Sequence, residues 1–101
     1  MCDKIYSIDE IKQIAGPIAA QHGVARLYLF GSYARGEATS SSDLDFRIDK
    51  GSLRSMFQRA ALQAELEKRF SKPLDVLTTQ MLSPQFLANI QPEEVLIYAR
   101  S

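Results

Sequence analysis

Residues 43–48 read Asp-Leu-Asp-Phe-Arg-Ile, a strict alternation of charged and apolar side chains. An extended strand sorts that order into two faces, because successive side chains point to opposite sides. Leu44, Phe46 and Ile48 then face a core, and Asp43, Asp45 and Arg47 face away from it. One strand cannot bury three apolar groups alone, so the segment demands neighbouring strands and a covering layer.

The remaining chain supplies both. Ser7-Ile8-Asp9-Glu10 has the form of a capping box, and Ile8, Ile11, Ala15, Ile18 and Ala19 follow at helical spacing. Gly16-Pro17 predicts a kink or break in that helix, and Gly23 its C-terminal stop. Val24–Phe30 is a short apolar run expected to be a strand that stops at Gly31-Ser32. After a turn at Asp49-Lys50-Gly51, Ser52 is expected to cap a second long helix. Leu53, Met56, Phe57, Ala60, Ala64 and Phe70 would give that helix its apolar face. Residues 72–79 read as a third strand, with Leu74, Val76 and Thr78 on one side and Asp75 and Leu77 on the other. Ser83-Pro84 opens a short helix ending near Ile90. Residues 94–99 form a last strand or docked edge segment. The pattern predicts a single α/β (α+β) domain over residues 1–101, with a small mixed β-sheet flanked by helices.

Length and charge narrow the function. A chain of 101 residues has room for one small domain and little for a separate substrate domain, so a large substrate would dock on its surface. Twelve acids balance twelve bases, which argues against a general nucleic-acid or anionic-membrane binder. One cysteine, Cys2, excludes an internal disulfide, and with one histidine also excludes a Cys/His zinc site. No apolar run reaches the length of a membrane span and the N-terminus lacks a signal-peptide pattern, so the expected location is the cytoplasm.

The chemistry gathers at residues 31–45. Asp43 and Asp45 stand at i and i+2, on one face and about 7 Å apart along the strand. They repel unless a cation lies between them. Oxygen-only ligands select a hard ion, and magnesium completes its shell with water and substrate phosphates. Asp75, on the non-core face of its own strand, is the candidate third carboxylate. It would allow two ions to share an in-line phosphoryl or nucleotidyl displacement. At the other end, Gly31 lets phosphate approach the backbone and Ser32 adds a hydroxyl at a helix start. Arg35 touches phosphate or pairs with Glu37 or Asp43. Gly31 and Gly36 have the glycine spacing of a P-loop, but Glu37-Ala38 stand where Lys and Ser/Thr are required, so that reading fails.

Gly31-Ser32, ten residues and then Asp43-x-Asp45 resembles the signature of the DNA polymerase β-type nucleotidyltransferases. The flanking "LYLFGSYARGEA" and "SDLDFRI" are similar to their smallest branch, the minimal nucleotidyltransferases (MNT). The resemblance extends from the first helix to the terminal "EEVLIYAR", and Asp75 in "PLDVLT" matches the third carboxylate. It implies transfer of a nucleoside monophosphate from ATP or another NTP with Mg²⁺. Asp43 and Asp45 would hold both ions. Asp75 would complete the acceptor-side ion and help remove the acceptor's proton, and Gly31 and Ser32 would cradle the β/γ-phosphates. Many bacterial members are antitoxins of HEPN-domain ribonuclease toxins, which implies AMP transfer to a toxin tyrosine.

Other residues have plainer readings. Tyr33 packs; Arg47 screens Asp45 or meets solvent; His22 interacts with a helix dipole; Cys2 sits idle at a terminus. Met56, Phe57 and Phe70 belong to the core or, in part, to a partner-docking surface. Three functions stay open. An active protein nucleotidyltransferase antitoxin is favoured over a binding-only antitoxin or regulatory subunit by three carboxylates on one sheet face. A small-molecule transferase of the aminoglycoside type would need a deep acceptor pocket that so short a chain has little material to build.

Overall fold

The structure is a computed structural model and describes residues 4–100; Cys2 lies outside the described residues. The first helix, α1, spans Ile8–Gln21. Ser7 accepts from the Glu10 amide while Glu10 caps the Ser7 amide, so the capping box forms as the sequence reads. The helix runs unbroken through Pro17. A proline disfavours helix at the preceding residue partly through that residue's Cβ, and Gly16 has none. The helix ends where Gly23, at φ 77°, turns left-handed. Its amide reaches the Ala20 carbonyl at 3.1 Å, and that of Val24 reaches the Ala19 carbonyl at 3.1 Å.

Strand β1 is Arg26–Phe30, β2 is Leu44–Asp49, β3 is Leu74–Thr78 and β4 is Val95–Ala99. They form one sheet in the order β3-β2-β1-β4. The β1 pairings with β2 and β4 are antiparallel and the β2–β3 pairing is parallel, so the sheet is mixed, as expected. Leu27 and Leu29, Leu44, Phe46 and Ile48, Leu74 and Val76, and Ile97 share one buried face. The helix α1 covers it with Ile11, Ala15, Ile18 and Ala19. The second long helix, Met56–Phe70, covers it with Leu62, Leu66 and Phe70. The last segment, open in sequence to a strand or a docked edge, is a paired edge strand.

That second long helix departs from the sequence reading. Its cap is Ser55, which accepts from the Gln58 amide, and not Ser52. The Ser52 amide instead donates to the Gly23 carbonyl at 2.8 Å, a contact across the fold that the local sequence does not announce. Leu53 is buried ahead of the helix, while Met56 and Phe57 are 77% and 88% exposed. Ala60 and Ala64 face solvent as well, so the core stripe is Leu62-Leu66-Phe70.

Two shorter helices complete the chain. A single turn, Ser32–Arg35, follows β1 directly, and Pro84–Ile90 is capped by Ser83 with Pro84 in its first turn. Numbered in order these four helices are α1, α2 (Ser32–Arg35), α3 (Met56–Phe70) and α4 (Pro84–Ile90), with a 3₁₀ turn at Thr79–Met81. Phe86 of α4 meets Phe30 edge-on at 6.0 Å on the sheet face away from the main core.

Candidate active site

The parallel register places Asp45 of β2 beside Asp75 of β3, and the antiparallel register places Phe30 on its other side. Neighbouring strands lie about 5 Å apart, so two carboxylates on one face are close companions. Asp43, one residue before β2, is exposed, as is Asp75, while Asp45 is half-buried. Burial first, then the charges of Asp75 and Asp43, push the Asp45 carboxyl up to about 6 from its ordinary 3.8; Arg35 opposes the shift. Asp45 therefore stands close enough to Asp75 and to Asp43 to feel the charge of each.

Gly31 ends β1 against this cluster. Its backbone sits at φ 80°, ψ −157°, a region open in practice to glycine alone. A Cβ there would stand 2.5 Å from Asp45 Oδ2. Ser32 opens α2 as expected, and Gly36 closes it in the left-handed conformation. Residues 39–42, a polar connector leading back to the sheet, are tied by their own side chains: the Thr39 amide donates to Ser42 Oγ at 2.8 Å.

Arg35 takes the ion-pair alternative. Its Nε donates to Glu37 Oε1 at 2.8 Å and its Nη1 reaches both oxygens of Glu93 at 3.2 and 3.3 Å. Tyr33 packs in the core, as expected. His22 meets Glu65 of α3 at 3.0 Å, which ties two helices together far from the carboxylates.

Arg47 corrects the sequence reading. It is 5% exposed and grips Glu94 with Nε and Nη2 at 2.5 and 2.8 Å. Its Nη1 donates to Thr79 Oγ1 at 2.7 Å, and the guanidinium lies 4.3 Å from the Tyr28 ring centroid. The strand face that carries Asp45 thus also carries a buried ion pair, and Arg47 neither screens Asp45 nor meets solvent.

Two charged residues near the site escape sequence reasoning. Lys72 is 7% exposed, donates to the Tyr33 hydroxyl at 3.0 Å and reaches the Ser40 carbonyl at 3.4 Å. It thereby joins the approach to β3 to α2 and to the connector that delivers Asp43. Its one signal is parity: residue 72 is in phase with Leu74 and Val76. Glu93 lies in the turn before β4 and has no local signature, because its position depends on the β1–β4 register.

The donor set suits a hard divalent cation: only carboxylate oxygens, mutually repelling, beside a glycine that leaves room for an anion. Among the described residues no three of His, Cys, Asp and Glu converge to enclose an ion unaided. Magnesium commonly takes one or two carboxylates and draws its other ligands from water and substrate phosphate.

A small mixed sheet with this constellation at one end defines a minimal α+β nucleotidyl-transferring domain. The chain belongs to the polymerase β nucleotidyltransferase family, whose model, "Polymerase beta, Nucleotidyltransferase", matches residues 12–101. A Methanocaldococcus jannaschii protein named "Putative protein adenylyltransferase MJ0435" is 39% identical over 89 residues, covering 88% of this chain and 96% of that protein. "Protein adenylyltransferase MntA" of Thermococcus cleftensis is 29% identical over 75 residues, 74% of this chain and 76% of that one. A solved structure described as a "putative minimal nucleotidyltransferase" superposes with a TM-score of 0.77 at 27% identity, covering 89% of this chain and 95% of that chain. The fold is shared more distantly, at a TM-score of 0.61 and 15% identity, with a structure of a tri-AMPylated Shewanella oneidensis HEPN toxin in complex with an MNT antitoxin, covering 88% of this chain and 73% of that chain. The enzyme class and fold expected from the sequence are thus borne out.

Proposed function

We propose that this protein transfers AMP from ATP to a protein hydroxyl, a tyrosine of a cognate HEPN ribonuclease toxin, and so acts as its antitoxin. The observation that carries the reading is the Asp45–Asp75 register pair with Gly31 pressed against Asp45. That arrangement sets an anion-accepting backbone beside carboxylates whose charge calls for a cation. The names of the relatives support a protein acceptor, and the HEPN toxin complex supports the partner class. Exposed Met56, Phe57 and Met81 support a protein surface as acceptor over a small molecule.

In this reading Asp43, Asp45 and Asp75 hold two magnesium ions, which would supply charge stabilisation to the attacking and leaving oxygens. Gly31 and Ser32 receive the β/γ-phosphates. The acceptor oxygen attacks the α-phosphorus as the bond to the bridging oxygen breaks, and pyrophosphate leaves. The phenolic proton passes to Asp75, which faces solvent and can release it. Arg35, once freed from its acids, offers a cation to the triphosphate. The setting is cytoplasmic, with no direct nucleic-acid or membrane contact; among the described residues no helix is long and apolar enough to cross a membrane.

The test is transfer from α-phosphate-labelled ATP, with Mg²⁺, into a host lysate by the wild type and by the Asp43→Asn/Asp45→Asn double variant. A labelled HEPN protein with the wild type alone is the expected result. A HEPN partner bound but unlabelled would replace catalysis with inhibition by binding, and label in small molecules would replace the protein acceptor.

A further inference from the structure

The phosphate end of the proposed site already holds an anion, and it belongs to the protein. Strand β4 runs antiparallel to β1 with Val95 opposite Leu29, so Glu93 falls beside Gly31. Glu93 Oε1 lies 3.4 Å from the Gly31 amide nitrogen and 3.2 Å from Arg35 Nη1, with Oε2 at 3.3 Å from the same guanidinium nitrogen. One carboxylate thus engages both a backbone N–H and a guanidinium that the functional reading gives to phosphate. Its neighbour Glu94 is locked by Arg47, which fixes the turn and leaves Glu93 facing the cradle. The Glu93 side chain keeps 27% of its surface in solvent, so an incoming anion can reach and replace it.

We infer that Glu93 is a built-in competitor for the triphosphate: its carboxylate occupies the phosphate cradle of the free protein and must swing out before nucleotide binds. The inference rests on the site proposed above. The contact to Arg35 is charge-assisted and engages both carboxylate oxygens, whereas the Gly31 contact is long. Displacement therefore chiefly means exchanging one anion for another on the same guanidinium. A triphosphate brings more charge than a carboxylate and wins when present. In its absence Glu93 shares the guanidinium with Glu37 and excludes weaker anions such as inorganic phosphate. If the closed form holds nine-tenths of the molecules, apparent affinity falls about tenfold below its intrinsic value.

The test is calorimetric titration of Glu93→Gln and Glu93→Ala with Mg²⁺ and a non-hydrolysable ATP analogue, and separately with inorganic phosphate. Glu37→Gln is the control, since Glu37 pairs with the same guanidinium without touching Gly31. Expected is a fivefold to tenfold tighter Kd for both Glu93 variants, a smaller gain for Glu37→Gln, and phosphate binding gained only when Glu93 is changed. In turnover assays KM for ATP falls with little change in kcat. Equal tightening by Glu37→Gln would reduce the effect to bulk charge and overturn the inference. So would weaker binding with a lowered melting temperature, the mark of a structural strut. If the wild type binds the analogue and Glu93 variants bind it equally, the inference alone fails. If neither wild type nor variants bind it, the proposed site fails with it.

Discussion

At Gly31 two requirements meet in one residue. The backbone conformation excludes side chains, and the space a Cβ would need is filled by Asp45. Gly31→Ala should cost about 1–3 kcal/mol in backbone strain alone, and pushing Asp45 aside should remove nearly all transfer activity. Gly36 is the contrast: its φ is positive too, but it lies in the left-handed helical region that asparagine also adopts, with open space where a Cβ would stand. Gly36→Asn should lose less than about 1 kcal/mol and keep most activity. Thermal melts and transfer assays on both variants check the pair, and equal damage would remove Gly31 from its special place. Asp45 carries a second prediction. Its pKa is raised in the fold, from 3.8 to about 6, so the folded protein holds the proton more tightly than the unfolded chain. The associated stability is present in full below about pH 4 and is lost as pH rises through about 6. Asp45→Asn keeps that stability at every pH. Without metal, the variant should therefore match the wild type near pH 4 and melt at a higher temperature at pH 7, while losing transfer. A constant difference in melting temperature across that window would contradict the assignment.

Among the elements, β2 does two jobs on one face. Its first half presents Asp45, and its second half buries Arg47 against Glu94, which anchors the turn into β4. Removing one partner leaves the other charge buried, so Arg47→Met or Glu94→Leu alone should cost about 3–5 kcal/mol. The double variant should recover most of the loss, since an apolar pair of similar volume is often neutral. Urea denaturation of the four proteins measures the coupling, and strictly additive losses would show that the two residues act apart. This pair also marks the limit of what the sequence discloses. Alternation locates β2 and its core face because parity is a local property. The caps Ser7 and Ser83 are legible for the same reason. Parity cannot say whether an outward arginine meets water or a glutamate that arrives 47 residues later. Ser52 has the local look of a cap, but its amide is claimed by Gly23, which lies before β1. Starting the helix there places Leu53 on it and makes Leu53, Met56, Phe57, Ala60 and Ala64 one apolar stripe, to be read as core or, in part, as a docking surface. Of the candidate site, Gly31, Ser32, Asp43, Asp45 and Asp75 are legible from spacing and strand face; Lys72 and Glu93 depend on which strands become neighbours.

Across the whole molecule the strands separate chemistry from a second surface. The carboxylates lie where β2 and β3 begin, and β1 ends in Gly31 beside them. Where β3 ends, Thr78 and Met81 join Leu53 and Met56 around a cavity of about 260 Å³. Phe57 stands exposed one residue along from Met56, and Lys50, Arg54 and Arg59 contribute cations to the lining without an acid among them. From Asp75 to Thr78 is about 10 Å along the strand, so a protein seated on this patch leaves the carboxylates open. On the proposed function, the patch suits an apolar segment flanked by acids on the acceptor protein, whose hydroxyl elsewhere would reach the carboxylates. Met56→Ser/Phe57→Ser should therefore raise KM for the protein acceptor at least about fivefold, the scale of one interface anchor worth about 1 kcal/mol. Turnover at saturating acceptor and affinity for ATP should hold, because neither residue touches the site. The melting temperature should hold too, since side chains this exposed bury little on folding. Steady-state kinetics with the HEPN acceptor decide it. An unchanged KM would move the docking surface elsewhere, and a fall in kcat with KM intact would mean that the two ends of the sheet are coupled rather than separate.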